Sequence, residues 1–117
     1  MDNHNELGIE GEALAEKWLV RNGYTVLHRN WKIGHYEIDI IAEKKGTLHI
    51  VEVKTRWASP FGFPEDNVTK KKFSFLKKAA HAFLQLNPYD WIQYDILAIT
   101  FYKDREPEYF LLKDVYI

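Results

Sequence analysis

Two neighbouring segments carry charged residues at the centre of otherwise apolar strand patterns. Residues 36–43 read YEIDIIAE and residues 47–55 read TLHIVEVKT, and both are rich in the β-branched residues that strands favour. The link between them, residues 44–46, is short and ends in glycine, which predicts a hairpin turn. A charge in the middle of an apolar strand is costly to bury unless it is paired or bound to a metal. The fold must therefore bring these charges to a partner.

Strand alternation places these charges on shared faces. Glu37 and Asp39 are two residues apart, as are Glu52 and Lys54, so each pair projects from one side of its strand. Because the two strands form one predicted hairpin, its register can make Asp39 and Glu52 cross-strand neighbours.

A divalent cation would account for this pattern. Mg²⁺ binds carboxylate and carbonyl oxygens, and it relieves the repulsion between close carboxylates. The backbone carbonyl of Val53 could add a ligand, and Lys54 could orient a water or stabilise charge on a phosphorane. These are the parts needed to hydrolyse a phosphodiester. The alternative interpretation is that the same residues form cross-strand ion pairs or exposed edge charges.

The remaining pattern predicts an α/β fold with a central mixed sheet flanked by helices. At 117 residues, the chain has the length of a single domain spanning residues 1–117. The element order is α-β-β-β-α-β, with an edge strand to follow. Hydrophobic periodicity and turn residues predict helices over 7–22 and 68–87, strands over 24–33, 36–43, 47–55 and 91–102, and an edge strand over 108–112.

Composition excludes several classes of protein. The chain has no cysteine, which excludes disulfides, a thiolate nucleophile and cysteine-ligated metals. No apolar run approaches the ~20 residues that cross a bilayer, and the first residues, MDNHNELGIEGE, do not resemble a signal peptide. We therefore expect a cytoplasmic protein with no membrane partner. Motifs typical of serine hydrolases and nucleotide-binding loops are missing from the sequence.

Charge is unevenly distributed along the chain. The formal net charge is −1, but the segment from Asn67 to Tyr89 contains five lysines and no acid. Such a cluster is either a solvated helix face or a surface that contacts phosphates, and Lys70, Lys71 and Lys72 are the candidates for such contacts. Arg56 and Trp57 follow the second charged strand and are candidates either for contacting unpaired bases or for packing on the core.

Several motifs occur in an order that resembles the PD-(D/E)xK, or restriction-endonuclease-like, superfamily and, more closely, the YraN-like family of bacterial proteins. The resemblance runs from residue 8 to about residue 98. Its motifs are GIEGEALA at 8–15, RNW at 29–31, EIDIIA at 37–42, VEVKTR at 51–56, FG at 61–62, VTKKK at 68–72 and YDILA at 94–98.

The resemblance implies a restriction-endonuclease-like (tRNA-endonuclease-like) core and a Mg²⁺- or Mn²⁺-dependent nuclease. Asp39, Glu52 and Lys54 match the superfamily's catalytic signature. Glu12 matches a metal-binding glutamate of related Holliday-junction resolvases, and Glu37 is implied as a metal ligand or as a partner that orients one. Lys72 matches a basic position on the second helix.

The sequence is therefore compatible with three functions. The first is a metal-dependent nuclease acting on DNA, with branched or single-stranded structures favoured. The second is a nucleic-acid-binding module that keeps the fold without turnover, and the third is an interaction domain in which the charges only pair. A homodimer is a further expectation for a nuclease of this size, because two sites can then act on two strands.

Overall fold

The computed structural model describes residues 4–59 and 70–115, and its secondary structure follows the predicted order closely. The first helix begins three residues earlier than predicted, and the third strand continues to Trp57, where a loop was expected after Thr55. The first two residues of the predicted second helix, 68 and 69, lie outside the described ranges. The elements are α1 (His4–Arg21), β1 (Thr25–Ile33), β2 (Tyr36–Lys44), β3 (Thr47–Trp57), α2 (Lys70–Leu86), β4 (Trp91–Phe101) and β5 (Glu108–Leu112).

The strands form one mixed sheet in the order β1-β2-β3-β4-β5. β3 and β4 are parallel, whereas the other three neighbouring pairs are antiparallel. A parallel pair needs a crossover connection, and the segment containing α2 provides it. The predicted hairpin between β2 and β3 is confirmed, and its turn uses Lys45 and Gly46, both with positive φ.

Each face of the sheet carries its own hydrophobic core. On one face, α1 buries Ala15 and Leu19 against residues of the sheet such as Ile40 and Val51. On the other face, α2 packs mainly on β2 and less on β1. The buried residues of this second core are Ile38, Ile41, Leu48, Ile50, Phe73, Leu76, Ala79, Ala80 and Phe83. The helical stripes predicted from the sequence are therefore the faces that pack on the sheet.

A buried polar network joins β3 and β4 to the C-terminal segment. The carboxylate of Asp95 accepts hydrogen bonds from His49 Nδ1 at 2.7 Å, from Gln93 Nε2 at 2.9 Å and from the backbone N–H of Asp114 at 2.9 Å. Since a buried carboxylate is tolerated only when it is well partnered, these bonds explain why an acid interrupts an apolar strand. Asp95 is thus a structural residue.

Within residues 4–59 and 70–115, no helix has both the length and the apolar character needed to cross a membrane.

Candidate active site

Asp39 lies where β2 and β3 cease to pair. The last residues paired at this end of the ladder are Ile40 and Val51, so one further step in the same register would set Asp39 opposite Glu52. Instead of a ladder bond, the backbone N–H of Val53 donates to Asp39 Oδ2 at 2.9 Å. The side chain of Asp39 therefore accepts the bond from a Val53 N–H that would otherwise pair with the backbone of β2.

Burial and a neighbouring acid raise the pKa of Asp39 from its ordinary value of 3.8 to about 7. The larger cause is loss of solvent, and the next is the charge of Glu52, with a smaller contribution from Glu12. The bond from Val53 and the charge of Lys72 act in the opposite direction. A pKa raised in this way identifies a group of carboxylates crowded into a poorly solvated place, which a cation would stabilise.

Glu52 is the most enclosed acid of this group, with 5% of its surface exposed. Two ammonium groups flank it: Lys72 Nζ on α2 contacts Glu52 Oε2, and Lys54 Nζ lies 3.8 Å from the same oxygen. Burial lowers the pKa of Lys72, but the hydrogen bond and charge of Glu52 outweigh it, so the net pKa is raised. Lys72 therefore carries its positive charge at neutral pH.

Glu12 reaches the group because α1 approaches β3 closely at Gly11. A Cβ atom at position 11 would lie 2.1 Å from Thr55 Cγ2, a distance that no real pair of such atoms adopts. Glycine therefore allows the helix to lie against the strand. Glu12, the next residue, is half-buried, and its charge contributes to the raised pKa of Asp39.

The donor set suits a small divalent cation of the kind that binds through few protein ligands. Mg²⁺ is commonly held by one or two carboxylates, with water and substrate phosphates completing its shell. Asp39 and Glu52 would supply those carboxylates. The N–H and C=O of one strand residue point to the same side, so the carbonyl of Val53 faces Asp39 as its N–H does. In the part of the chain that the structure describes, no group of three or more His, Asp or Glu side chains is arranged to hold an ion as it stands.

The remaining predicted site residues are distributed around this group. Glu37 is exposed and lies opposite Lys32 in the β1–β2 ladder, outside the cluster of Asp39, Glu52 and Glu12. Lys70 and Lys71 begin α2, and Lys71 is exposed one residue before Lys72.

Arg56 and Trp57 are neighbours in β3, and their side chains point to opposite faces of the sheet. Trp57 is about half exposed and packs on Phe101, with ring centroids 5.7 Å apart, on the face that α1 covers. Arg56 shares the face of Lys54. The two were expected either to contact unpaired bases or to pack on the core. Trp57 packs on the core residue Phe101, whereas Arg56 lies on the face of Glu52 and Lys54.

Two features of the site region were not predicted from the sequence. The contact between Lys72 and Glu52 joins α2 to β3, and no local pattern reports a contact between elements so far apart in the chain. The packing of Tyr94 of β4 edge-on against Phe73 of α2, with ring centroids 5.0 Å apart, was also not predicted. Its available signal was the alternation of β4, which places Tyr94 on the face opposite Asp95.

The fold matches that of a solved structure. A solved structure of Hjc from Archaeoglobus fulgidus, a Holliday junction resolvase from an archaeal hyperthermophile, superposes with a TM-score of 0.51 at 15% sequence identity. The match covers 87% of this chain and 74% of the other. The predicted restriction-endonuclease-like fold is thereby confirmed.

Relatives in several bacteria match this chain over most of its length. A UPF0102 protein of Flavobacterium psychrophilum is 44% identical over 107 residues, covering 91% of this chain and 88% of its own. Those of Bacteroides thetaiotaomicron and Syntrophomonas wolfei are 43% and 41% identical, covering 85% and 82% of this chain and 83% and 85% of theirs. A family model described as "Uncharacterised protein family UPF0102" matches residues 11–99. The chain therefore belongs to this family, the YraN-like family that its motifs resemble.

Proposed function

We propose that this protein is a nuclease that uses Mg²⁺ or Mn²⁺ to hydrolyse phosphodiester bonds of DNA, with branched or single-stranded structures favoured. The observation that carries the proposal is the position of Asp39 where β2 and β3 separate, with its Oδ2 bonded to the Val53 N–H and the buried Glu52 next to Val53 in β3. The charges of Glu52 and, to a smaller extent, of Glu12 raise the pKa of Asp39, which agrees with this placement. The nuclease-like fold supports the same conclusion.

Each residue of the group receives a role from its position. Asp39 and Glu52 would hold the ion, with Glu12 and the carbonyl of Val53 completing the protein's share of its ligands. When bound, the ion supplies a Lewis acid that polarises a phosphoryl oxygen and activates water. Lys54 Nζ, 3.8 Å from Glu52 Oε2, would orient the attacking water and stabilise negative charge that develops on the phosphoryl group.

The reaction itself is a simple hydrolysis. A water oxygen forms a bond to phosphorus while one phosphorus–ester oxygen bond breaks. The water loses a proton to solvent and the leaving oxygen gains one. Lys70, Lys71 and Lys72, in the first turn of α2, would neutralise phosphates of the bound strand, and Arg56 would add positive charge on the same face.

A second function, binding without cleavage, is favoured by one specific observation. The ammonium of Lys72 already neutralises the buried carboxylate of Glu52, so this charge is paired without a metal. A module that binds nucleic acid, or an interaction domain, could keep this arrangement as a stabilising ion pair.

Cleavage assays separate these functions. Purified protein is incubated with single-stranded, duplex and four-way-junction DNA, with Mn²⁺ or with EDTA, beside the variants Asp39→Asn, Glu52→Gln and Lys54→Ala. The matched control is Glu10→Gln, because Glu10 is an exposed acid of α1 two residues from Glu12. Metal-dependent cleavage that is lost in the three site variants and retained in the control supports the nuclease. Binding without cleavage favours the module, and the absence of both refutes a nucleic-acid function.

Two further expectations stay predictions. A homodimer is tested by sedimentation equilibrium of the purified chain. Location in the cytoplasm is tested by cell fractionation.

A further inference from the structure

An open groove of about 590 Å³ runs beside α2 and is lined by cationic side chains. Its lining residues are Ser74, Lys77, Lys78, His81, Leu84 and Tyr94. Of the described residues that form its walls, none carries a carboxylate. The groove exists because α2 packs mainly on β2 and leaves space along the flank that faces β4. A cavity with this lining favours an anionic occupant.

The two lysines of the groove are held by aromatic rings instead of by acids. Lys77 Nζ lies 5.3 Å from the ring centroid of Phe73, and Lys78 Nζ lies 5.9 Å from that of Tyr36 and 6.0 Å from that of Phe75. Within residues 4–59 and 70–115, neither lysine forms an ion pair with a carboxylate. Lys72 differs, because it contacts Glu52. The charges of Lys77 and Lys78 therefore remain available to an anion from outside.

Tyr94 lines both the groove and a small cavity whose wall includes Glu52, Phe73 and Ile50. The groove and the cavity beside Glu52 therefore share the side chain of Tyr94. A polymer that occupied both places would pass over this ring.

The spacing along α2 matches that of a polyanion. Lys78 is six residues beyond Lys72 and His81 is nine, so at a rise of ~1.5 Å per residue they lie roughly 9 and 13 Å further along the helix. Successive phosphates of one strand of a duplex advance ~3.4 Å along its axis. The groove therefore extends over roughly two to four phosphates beyond the site.

We propose that this groove holds the backbone of the nucleic-acid strand that is cleaved, with Lys77 and Lys78 contacting phosphates two to four nucleotides from the scissile one. This inference rests on the proposed function and gives the bound strand a direction, from the site past Tyr94 and along α2. Because contacts of lysine with phosphates fix the position of a strand and carry no sequence information, these two contacts should be the same for every sequence.

Binding measurements with a charge-matched control test the proposal. The variant Lys77→Gln/Lys78→Gln removes both groove charges and keeps helix propensity. The control, Lys17→Gln/Arg21→Gln, removes two exposed charges from α1 on the opposite side of the sheet. Fluorescence anisotropy with labelled single-stranded DNA and RNA of equal length, in EDTA to prevent cleavage, gives the affinity of each protein across a salt series.

The expected result is a loss of affinity for nucleic acid in the groove variant and not in the α1 control. Two phosphate contacts contribute about −1.4 to the slope of log K against log salt for a single strand. Taking their contribution as zero at about 1 M salt, their loss weakens binding roughly 60-fold at about 50 mM salt. With DNA strands of increasing length beyond the scissile position, wild-type affinity should rise up to about four added nucleotides, and the groove variant should lack this rise.

Other outcomes overturn the inference in distinguishable ways. If wild type binds and the groove variant has the same affinity and salt slope, the groove proposal fails and the proposed function stands. If the α1 control loses as much affinity as the groove variant, the effect is one of net charge and the groove proposal again fails. If wild type binds neither probe, the groove proposal fails, whereas the proposed function is decided separately by the cleavage assay with Mn²⁺.

Discussion

Replacing Asp39 with asparagine should stabilise the folded protein above neutral pH. The pKa of Asp39 is raised from 3.8 to about 7, first by burial and then by the charge of Glu52. The folded protein therefore binds this proton more tightly than the unfolded chain does. The stabilisation is complete below about pH 4 and is lost as the pH rises through about 7.

The size of the effect follows from the shift in pKa. At ~1.36 kcal/mol per unit, ionising the Asp39 carboxyl in the folded protein costs about 4 kcal/mol well above pH 7. Asparagine carries no charge and can still accept the bond from the Val53 N–H, as the protonated carboxyl does, and the raised pKa already includes the effect of that bond. The variant should therefore be about 4 kcal/mol more stable than wild type at about pH 8.5. Near pH 5 the difference should shrink to roughly 1–2 kcal/mol.

Urea denaturation in EDTA at several values of pH measures this difference directly. The control is Asp104→Asn, which removes an exposed carboxylate from the segment between β4 and β5 and should change the free energy of unfolding little. Equal pH dependence of wild type and Asp39→Asn between about pH 5 and 8.5 would refute the reasoning, as would a less stable variant at the higher pH. Either result would mean that Asp39 and Glu52 are not crowded in the folded protein.

Three other perturbations follow from the same structure. Gly11→Ala places a methyl against Thr55 and should lower the free energy of unfolding by ~1–3 kcal/mol, partly recovered by adding Thr55→Ser, in urea titrations. Burial raises the pKa of Asp95, but its hydrogen bonds lower that pKa by more, so the net pKa is below the ordinary value. The ionised Asp95 therefore stabilises the folded protein above its unfolded pKa, and this stabilisation is lost as the pH falls into the acid range. Asp95→Asn should therefore cost ~3 kcal/mol at neutral pH and much less in acid, in thermal melts. Lys72→Gln removes the ammonium that contacts Glu52, so calorimetric titration should give tighter Mn²⁺ binding than wild type; equal or weaker binding contradicts this.

The order of the elements was predictable from local patterns because each element carries its own periodicity. Strand alternation and the short link ending in Gly46 were enough to predict the β2–β3 hairpin. Hydrophobic periodicity was enough to predict α1, whose residues Ala15 and Leu19 pack on the sheet. The extension of β3 to Trp57 was missed, because its last two residues pair in parallel with β4, a contact that depends on a strand more than thirty residues away.

The candidate site was predictable in its chemistry and not in its arrangement. Asp39, Glu52 and Lys54 were recognisable because acids and a lysine interrupt apolar strands, and their faces follow from alternation. The packing of three elements decides the rest. Gly11 lets Glu12 approach β3, and the position of α2 puts Lys72 on Glu52 and leaves a groove beside Tyr94.

The sequence by itself determined which side chains must find partners, since burying an unpaired charge is costly wherever it occurs. Only the tertiary structure decided which partners they found and how far the pKa of Asp39 rises, because burial and charge separation are set by elements distant in the chain.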